Sequence, residues 1–328
     1  MVWSRWGVRL FVDLPDGWVT SRLWVKHTIS ICPAFQQNVK PVTLSTRTAM
    51  RALERIQEAL QAAVQAISPF VSGIVNADLK SEGRGPVTEA DRASNRALRN
   101  VLLQDGEGWL SEESVDNLDR LKKDRLWVVD PLDGTLEFIA GIPEWCVSVA
   151  FVENGKAIAG GICNPATGEV FLGSLETGLT YNGRPARSCE RSKLDGALVV
   201  ASRSEVQRGE WEVFQGLPFV ILPMGSIAYK LALLAAGHVD ATWTLTPKNE
   251  WDVAAGVALI ESAGGSVRNL AGSSLQFNNR NTLLPGLVAS GRNLYENVIS
   301  LVQPYVQAPK TEFPYGARHL CRECSVQN

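Results

Sequence analysis

The sequence predicts a mixed α/β fold, with helices and an antiparallel sheet first and an α/β half after them. Apolar residues recur every three or four positions from Met50, which predicts an amphipathic helix of about six turns. Alternating segments over residues 145–174, separated by Asn-Gly and Thr-Gly turns, predict an antiparallel meander. From about residue 190, strand-like runs alternate with helical ones, which is typical of an α/β domain.

The chain has 328 residues, which corresponds to two domains of roughly 150 residues each. We predict an N-terminal α+β domain that binds metal over residues 50–190 and a C-terminal α/β domain over residues 191–308. Residues 1–49 lack clear periodicity and are predicted to be a poorly structured extension, with translation from Met50 as one hypothesis. Residues 309–328 are predicted to be a tail.

The composition excludes several classes of protein. Apolar residues make up 45% of the chain and charged residues 20%, unlike disordered, collagenous or coiled-coil chains. A net charge of −2 gives no global basic field, so no nucleic acid polymer is expected as a partner. No run approaches the roughly 18 to 20 apolar residues of a membrane span, so no membrane contact is expected. Six cysteines are too few for a disulfide scaffold, which favours a cytoplasmic location, and the lone Cys321-x-x-Cys324 pair is a weak zinc signal.

Further element boundaries follow from capping residues and from breaks in the apolar pattern. Thr88 and Asp91 have the spacing of a capping box, so a second helix is predicted to begin at Thr88. A short apolar strand is predicted to end at Asp130. Two later helices, each followed by glycine, are predicted from Ser226 to about Ala236 and from Asp252 to about Ala263.

Carboxylates occur at the ends of predicted core elements that lie far apart in the sequence. Buried carboxylates are destabilising unless a cation compensates them, and nearby basic residues do not match them all. Mg²⁺ prefers oxygen ligands, so a hard divalent cation would resolve the conflict. The chain has only three histidines, none near these positions, which argues against a zinc site or a histidine triad. The carboxylates are Asp91, Glu112, Glu113, Asp130, Asp133 and Asp252.

The segment DPLDGT (130–135) has a specific mechanical interpretation. Its chain can offer the Leu132 carbonyl and the Asp133 carboxylate to one metal ion. Gly134 lets the backbone approach a ligand closely, and Thr135 starts a helix whose free N–H groups suit a phosphate.

Gly225 and Ser226 open another helix, which offers a second anion site of the same kind. Ordinary structural roles are the alternative for the residues at these helix starts. Thr135 and Ser226 would then be N-caps, and Asp91 and Asp252 would favour a helix dipole. If these residues instead lie together in the folded chain, a single metal and phosphate site would explain all of them.

Together these motifs make the chain resemble the inositol monophosphatase superfamily of Mg²⁺-dependent, lithium-sensitive phosphatases. The motifs occur in the order and with the spacing of that superfamily over residues 50–305. The resemblance implies an alternating layered α/β sandwich of helices and sheets, commonly assembled as a homodimer. The matching segments are PVTEAD (86–91), LSEES (110–114), WVVDPLDGT (127–135), GSIAYKLALLAAG (225–237) and NEWDVAAG (249–256).

The resemblance also implies a role for each matching residue. Thr135 with Asp91 would orient the attacking water and help to deprotonate it. The implied catalytic residues are Thr135, Asp91 and Glu112. The implied ligands of two or three Mg²⁺ ions are Glu112, Asp130, the Leu132 carbonyl, Asp133 and Asp252. The residues implied to surround the substrate are Gly134, Thr135, Gly225, Ser226 and Asp252.

Some details resemble one branch of the superfamily, the 3′(2′),5′-bisphosphate nucleotidases. They are Glu137-Phe138 after DGT, the form LSEE, and Glu250 before Trp251-Asp252. The resemblance thus implies hydrolysis of 3′-phosphoadenosine 5′-phosphate, a small phosphorylated substrate, to AMP and phosphate in sulfate assimilation. The candidate partners of its second phosphate are Arg203, Lys230 and Lys248, with solvated surface charges as the alternative.

Three other functions stay open at the level of the sequence. The same chemistry on inositol 1-phosphate or a sugar bisphosphate would need the same motifs. A catalytically silent binding module on this fold would keep them as well. A haloacid-dehalogenase-type phosphatase is disfavoured, because its paired aspartates are closer in sequence than Asp130 and Asp133.

Overall fold

The computed structural model describes residues 44–70, 72–79, 86–104 and 106–307. Most of the predicted extension and the predicted tail, including the Cys321-x-x-Cys324 pair, lie outside the described residues. The first helix begins at Leu44, six residues before the start that the periodicity predicted, so Leu44–Ala49 belongs to that helix. The division into domains at residue 190 stays a prediction.

The described residues form seven α-helices that are separated by strands. Those in the first half are α1 (Leu44–Ile67), α2 (Glu89–Leu102) and α3 (Thr135–Ala140). Those in the second half are α4 (Arg203–Gln207), α5 (Ile227–Ala235), α6 (Glu250–Ser262) and α7 (Tyr295–Gln307). The helices predicted from Ser226 and from Asp252 therefore exist, with boundaries within two residues of the expected ones. Across the described ranges no helix has both the length and the apolar character needed to cross a bilayer.

The first half of the chain forms the predicted meander. Seven strands hydrogen-bond in sequence order from β3 to β9, and all neighbours are antiparallel except the β3/β4 pair. A separate two-stranded sheet precedes them. The strands are β1 (Ala77–Leu79), β2 (Pro86–Thr88), β3 (Gly108–Ser111), β4 (Arg125–Asp133), β5 (Cys146–Glu153), β6 (Lys156–Asn164), β7 (Glu169–Ser174), β8 (Gly178–Tyr181) and β9 (Arg184–Ala186).

The second half of the chain forms the predicted α/β part. Its five-stranded sheet has the order β11-β10-β12-β16-β14, with β10 parallel to both of its neighbours. The short strands β13 and β15 pair separately. The strands are β10 (Ala197–Ser202), β11 (Phe219–Met224), β12 (Ala241–Thr244), β13 (Lys248–Asn249), β14 (Ser266–Asn269), β15 (Leu283–Leu284) and β16 (Leu287–Ser290).

Helices and sheets alternate as layers, as the resemblance implied. One face of the seven-stranded sheet packs against α1 and α2, and the other face packs against α5 and α6. The helices α5 and α6 also contact the five-stranded sheet, which is covered on its far side by α7. Strand β4 is apolar on both faces, which is why the sheet is covered on both sides. Leu126 and Val128 point into one apolar cluster, and Trp127 points into the other.

Two adjacent glycines in β6 let helices from both layers approach the sheet closely. A Cβ at Gly160 would stand 2.7 Å from the carbonyl oxygen of Ala255 in α6. A Cβ at Gly161, on the opposite face, would stand 2.3 Å from Cγ2 of Ile56 in α1. Successive strand residues face opposite sides, so each glycine makes room for one helix.

We expect Gly161→Ala to lower the free energy of unfolding by about 1–3 kcal/mol, because the new methyl group overpacks the α1 interface. Urea denaturation of the wild type and the variant measures this change. Combining Gly161→Ala with Ile56→Ala should destabilise less than the sum of the two single changes, since the second change makes room for the methyl group. An unchanged urea midpoint for Gly161→Ala would contradict the close approach.

Candidate active site

A bulge at the end of β4 shapes the centre of the site. Asp130 pairs with Ser148 and Asp133 pairs with Cys146. The chain therefore advances three residues along β4 while it advances two along β5, which leaves one extra residue in β4. The prediction that this strand ends at Asp130 is therefore wrong, because the strand continues through the bulge to Asp133. Pro131 fits there because proline, which has no N–H to donate, is tolerated in sheets at bulges.

The turn after the bulge requires a glycine. Gly134 has a φ of +98°, and a Cβ there would stand 2.8 Å from the carbonyl oxygen of Glu144. Gly134 occupies the N-cap position of α3, so the alternative that Thr135 is an N-cap is wrong. The Thr135 hydroxyl instead lies 3.2 Å from Oδ1 of Asp91 and 3.3 Å from the Leu132 carbonyl oxygen.

The start of α2 holds Asp91 in place. Thr88 is the N-cap, and its backbone N–H and hydroxyl donate to Oδ2 of Asp91 at 2.8 and 2.5 Å. The predicted capping box is thereby confirmed. The carboxylate of Asp91 is buried, so one oxygen caps the helix and the other accepts from Thr135. The helix-cap role and the proposed catalytic role therefore coexist in one side chain.

Two further side chains of α2 hold other segments of the site. Ser94 donates to the Pro131 carbonyl oxygen at 2.8 Å, which fixes the bulge. The Asn95 amide accepts from the Ser111 hydroxyl at 2.8 Å and donates to the Glu113 carbonyl oxygen at 3.2 Å. These bonds place the turn that carries Glu112 beside the end of β4.

Asp133 is held by the start of α5. Ser226 is the N-cap of that helix, and its hydroxyl donates to Oδ2 of Asp133 at 2.6 Å. The backbone N–H of Ala228 donates to the same oxygen at 2.7 Å. The N–H of Gly225 donates to Oε2 of Glu144 at 2.7 Å. Gly225 and Ser226 thus reach the site as predicted, but protein carboxylates accept their hydrogen bonds here.

Asp252 sits in the first turn of α6. This helix begins at Glu250 with Asn249 as its N-cap, so the expected start at Asp252 was two residues late. The backbone N–H of Asn249 donates to Oδ2 of Asp252 at 2.7 Å, completing a second capping box.

The predicted carboxylates lie close enough in the fold for their charges to shift one another's pKa values. Burial raises the pKa of Asp130 well above its usual value, and the charges of Glu112, Asp133 and Asp252 raise it further. Burial likewise raises the pKa of Asp252, helped by Asp133 and Glu112. Burial raises the pKa of Asp133 too, although hydrogen bonds from Ser226 and Ala228 oppose the shift. Each charge therefore destabilises its neighbours.

One cavity of about 420 Å³ brings most of the predicted site residues together. Asp130 is buried and does not line it. The predicted residues that do line it are Glu112, Asp133, Gly134, Thr135, Gly225, Ser226 and Asp252.

The donor set of this cluster fits a hard cation. Its side-chain donors are all carboxylate oxygens, the type that Mg²⁺ prefers. Mutual repulsion among Glu112, Asp130, Asp133 and Asp252 would be relieved by a divalent cation. No group of three or more His, Cys, Asp or Glu side chains in the described ranges could hold a metal ion as it stands. The individual ligand assignments therefore stay predictions.

Three basic side chains line the same cavity, and none is a freely solvated charge. Lys230 is 3% exposed and donates to the Met224 carbonyl oxygen at 3.1 Å. Burial lowers its pKa to about 8, against the effect of nearby carboxylates. Lys248 pairs with Glu205 at 3.2 Å, and Arg203 pairs with Glu144 at 2.5 Å. The alternative of solvated surface lysines is therefore wrong for Lys230.

Two acidic residues that hold these cations were missed in the sequence. Glu205 is buried in α4 and accepts from the Thr244 hydroxyl at 2.6 Å and from Lys248. Glu144 lies in the loop before β5 and accepts from Arg203 and Gly225. Glu205 follows the apolar strand β10 with the Ser-x-x-Glu spacing of a helix start at Ser202, a signal that the sequence did offer. Glu144 neither follows an apolar strand nor lies at a helix start, so no pattern in the sequence indicated it.

A buried polar network joins two loops near the site. Glu250 is fully buried and accepts the backbone N–H groups of Asn278 and Asn279 at 2.7 and 2.8 Å. Arg120 donates to Asp116 at 2.8 Å and to the Asn278 amide oxygen at 2.9 Å. This network ties the segment after Glu112 to the start of α6. Glu250, which suggested the nucleotidase branch, thus has a structural role.

Comparison with known proteins identifies the class of enzyme that combines this layered fold with such a cavity. The class is that of the metal-dependent phosphoric monoester hydrolases, which act on small phosphorylated substrates. The sequence model described as "Inositol monophosphatase family" matches residues 44–307, and the chain therefore belongs to the inositol monophosphatase family.

Named relatives and solved structures agree with this assignment. A Thermotoga maritima protein named fructose-1,6-bisphosphatase/inositol-1-monophosphatase is 29% identical over 71% of this chain and 88% of its own. The Nus factor SuhB of Pseudomonas aeruginosa is 30% identical over 69% of this chain and 86% of its own. The structure of CysQ from Bacteroides thetaiotaomicron matches with a TM-score of 0.62 and 26% identity, over 74% of this chain and 98% of its own.

We expect Mg²⁺ to raise the melting temperature of this protein, because a bound cation relieves repulsion in the carboxylate cluster. At about 100 times its Kd, an ion that binds only the folded state adds about 2.7 kcal/mol to the free energy of unfolding. Asp252→Asn should reduce this gain and should raise the melting temperature of the metal-free protein, since one buried charge is removed. Differential scanning fluorimetry with EDTA or Mg²⁺ measures both effects.

The matched control for this change is Asp240→Asn, which removes a largely buried charge that is paired with Arg191 and does not line the cavity. It should lower the melting temperature equally with and without Mg²⁺. An Asp252→Asn protein that gains as much from Mg²⁺ as the wild type would show that Asp252 is not a ligand.

Proposed function

We propose that this chain hydrolyses 3′-phosphoadenosine 5′-phosphate to AMP and phosphate. The observation that carries the proposal is that one cavity holds both the carboxylate cluster and three basic side chains, Arg203, Lys230 and Lys248. A phosphate bound through cations at the carboxylates needs no further protein cation. Basic side chains in the same cavity therefore favour a substrate with a second anionic group.

Similarity to known proteins supports two members of this substrate class. The CysQ structure supports the nucleotidase branch. The Thermotoga relative, whose name includes fructose-1,6-bisphosphatase, supports a sugar bisphosphate, and the relatives named inositol-1-monophosphatase support a monophosphate. The cavity favours bisphosphates over monophosphates, and the exposed side chain of Leu136 on its wall offers an apolar contact for a base.

The predicted metal ligands are Glu112, Asp130, the Leu132 carbonyl, Asp133 and Asp252. Mg²⁺ held by them, as two or three ions, would supply Lewis-acid polarisation of the phosphate that is cleaved. Every other contribution comes from the chain itself. The start of α5 keeps Asp133 oriented, and Gly134 lets the chain turn closely past the Glu144 carbonyl into the start of α3.

Thr135 and Asp91 are proposed to handle the proton of the attacking water. The Thr135 hydroxyl donates to Oδ1 of Asp91 at 3.2 Å, which leaves its own lone pairs free to accept a hydrogen bond. A water aligned by that oxygen would be oriented for in-line attack, with no covalent enzyme intermediate.

We expect the rate of phosphate release to be highest on 3′-phosphoadenosine 5′-phosphate when this compound, inositol 1-phosphate and fructose 1,6-bisphosphate are compared side by side. The reason is that inositol 1-phosphate has no second anionic group for the basic side chains, and fructose 1,6-bisphosphate has no base to contact Leu136. A strong preference for either of the other two compounds would overturn the nucleotidase proposal. Absence of Mg²⁺-dependent phosphate release from all three would favour the silent binding module, with which the Nus factor relative is compatible.

We expect Asp91→Asn to lower kcat by about 10²- to 10⁴-fold, the usual contribution of general acid–base catalysis. The amide can still accept from Thr88, so the helix cap remains, but it no longer accepts a proton through Thr135. Steady-state kinetics measures the loss, and an unchanged melting-temperature gain from Mg²⁺ shows that the cluster is intact. Glu89→Gln, an exposed change in the same helix turn, is the control. Equal kcat for Asp91→Asn and wild type would remove Asp91 from the mechanism.

Three further features stay predictions for this chain. They are assembly as a homodimer, a cytoplasmic location and a place in sulfate assimilation. Each rests on the resemblance and on composition.

A further inference from the structure

Glu144 makes two short hydrogen bonds at the edge of the cavity. Its Oε2 accepts from Nη2 of Arg203 at 2.5 Å and from the backbone N–H of Gly225 at 2.7 Å. Its side chain is 21% exposed, so the charge is largely removed from water. Because charge-assisted bonds of this kind have defined geometry, Glu144 fixes where the guanidinium of Arg203 lies.

Arg203 is held from a second direction by Glu137. Its Nε lies 3.9 Å from Oε1 of Glu137 and is buried without a hydrogen-bond partner. An unpartnered buried N–H is costly, and such groups are usually completed by a water or a ligand. Arg203 lines the cavity, whereas Glu144 does not. Glu144 thus holds the guanidinium from outside the cavity. Glu137, which lines the cavity with Arg203, lies close to Nε but leaves that donor without a hydrogen bond.

The Arg203 guanidinium has little room to move, because the backbone beside its two carboxylate neighbours is tightly packed. A Cβ on Gly225 would stand 2.3 Å from Cδ of Glu137. Gly225 therefore contacts Glu137 while its N–H bonds Glu144, and Arg203 lies between the two carboxylates. A guanidinium that is ordered before binding loses little entropy when it pairs with an anion.

We propose that Glu144 is a positioning residue that aims Arg203 at the second anionic group of the substrate, the group that is not cleaved. This inference rests on the proposed function, since it assigns a residue to the second phosphate. In 3′-phosphoadenosine 5′-phosphate that group is the 5′-phosphate, which remains on the product AMP. AMP is therefore a stable probe of the contact, and adenosine is the matched ligand without it.

The test is calorimetric titration of AMP and of adenosine into the full chain with Mg²⁺. Wild type should bind AMP more tightly than adenosine. Arg203→Ala and Glu144→Ala should each weaken AMP binding by about 10-fold, the loss of one charge-assisted contact, and should leave the adenosine affinity unchanged. Glu144→Gln, which keeps an acceptor but not the charge, should fall between wild type and Glu144→Ala. The double variant should lose no more than Arg203→Ala alone, since Glu144 acts through Arg203.

Controls separate this role from general stabilisation of the fold. Arg208→Ala changes another arginine, at the end of α4, whose partner is Glu210, and it should leave AMP affinity unaltered. Equal weakening of AMP and adenosine by Glu144→Ala would show a structural role and overturn the inference. Tighter AMP binding by Glu144→Ala would also overturn it, because Glu144 would then compete with the ligand for Arg203. Wild type that does not distinguish AMP from adenosine would overturn it as well.

The binding experiment and the turnover assay can fail independently of each other. Turnover of 3′-phosphoadenosine 5′-phosphate together with AMP binding that ignores Arg203 would sink the inference alone. AMP binding that depends on Arg203 and Glu144, without turnover of that compound, would sink the nucleotidase assignment alone.

Discussion

Repulsion among four clustered carboxylates is the constraint on which the rest of the site depends. Like charges repel more strongly when burial removes the water that would screen them. Burial is the main cause that raises the pKa values of Asp130 and Asp252, and the charges of neighbouring carboxylates raise them further. The chain opposes this repulsion by placing site carboxylates at helix starts, where backbone N–H groups and the positive end of the helix dipole lie. Asp91, Asp133 and Asp252 each accept a backbone N–H there.

The layered fold is what brings those helix starts together. Helices α5 and α6 lie between the two sheets, so their first turns have fixed positions relative to the end of β4. Close packing makes this possible, because Gly160 removes the side chain that would block α6. Helix α2, on the opposite face, reaches the same strand end through Ser94. Rigid elements thus hold carboxylates that repel one another. The unfavourable free energy of this repulsion is offset by the two apolar cores around the cluster.

The sequence carried the parts of the site that follow simple periodicity and capping rules. The capping box at Thr88, the helix after Ser226 and the meander could all be predicted, because each depends on residues near one another in the chain. The bulge could not be predicted, since it depends on how Asp130 and Asp133 pair with a strand that comes later. Glu144 was also beyond prediction, because its partners become neighbours only after folding.

The cavity offers two kinds of hydrogen-bond donor to an anion, backbone N–H groups and basic side chains, and which of them are free affects the choice of substrate. Three N–H groups at or just before the start of α5 already donate within the protein: Gly225 to Glu144, Ala228 to Asp133 and Tyr229 to the Ser226 hydroxyl. Under the proposed function, a second anionic group would rely mainly on side-chain donors, and Lys230 and Arg203 line the cavity. Selectivity among substrates then lies, under the further proposal, in the carboxylates that orient such cations, Glu144 for Arg203 and Glu205 for Lys248.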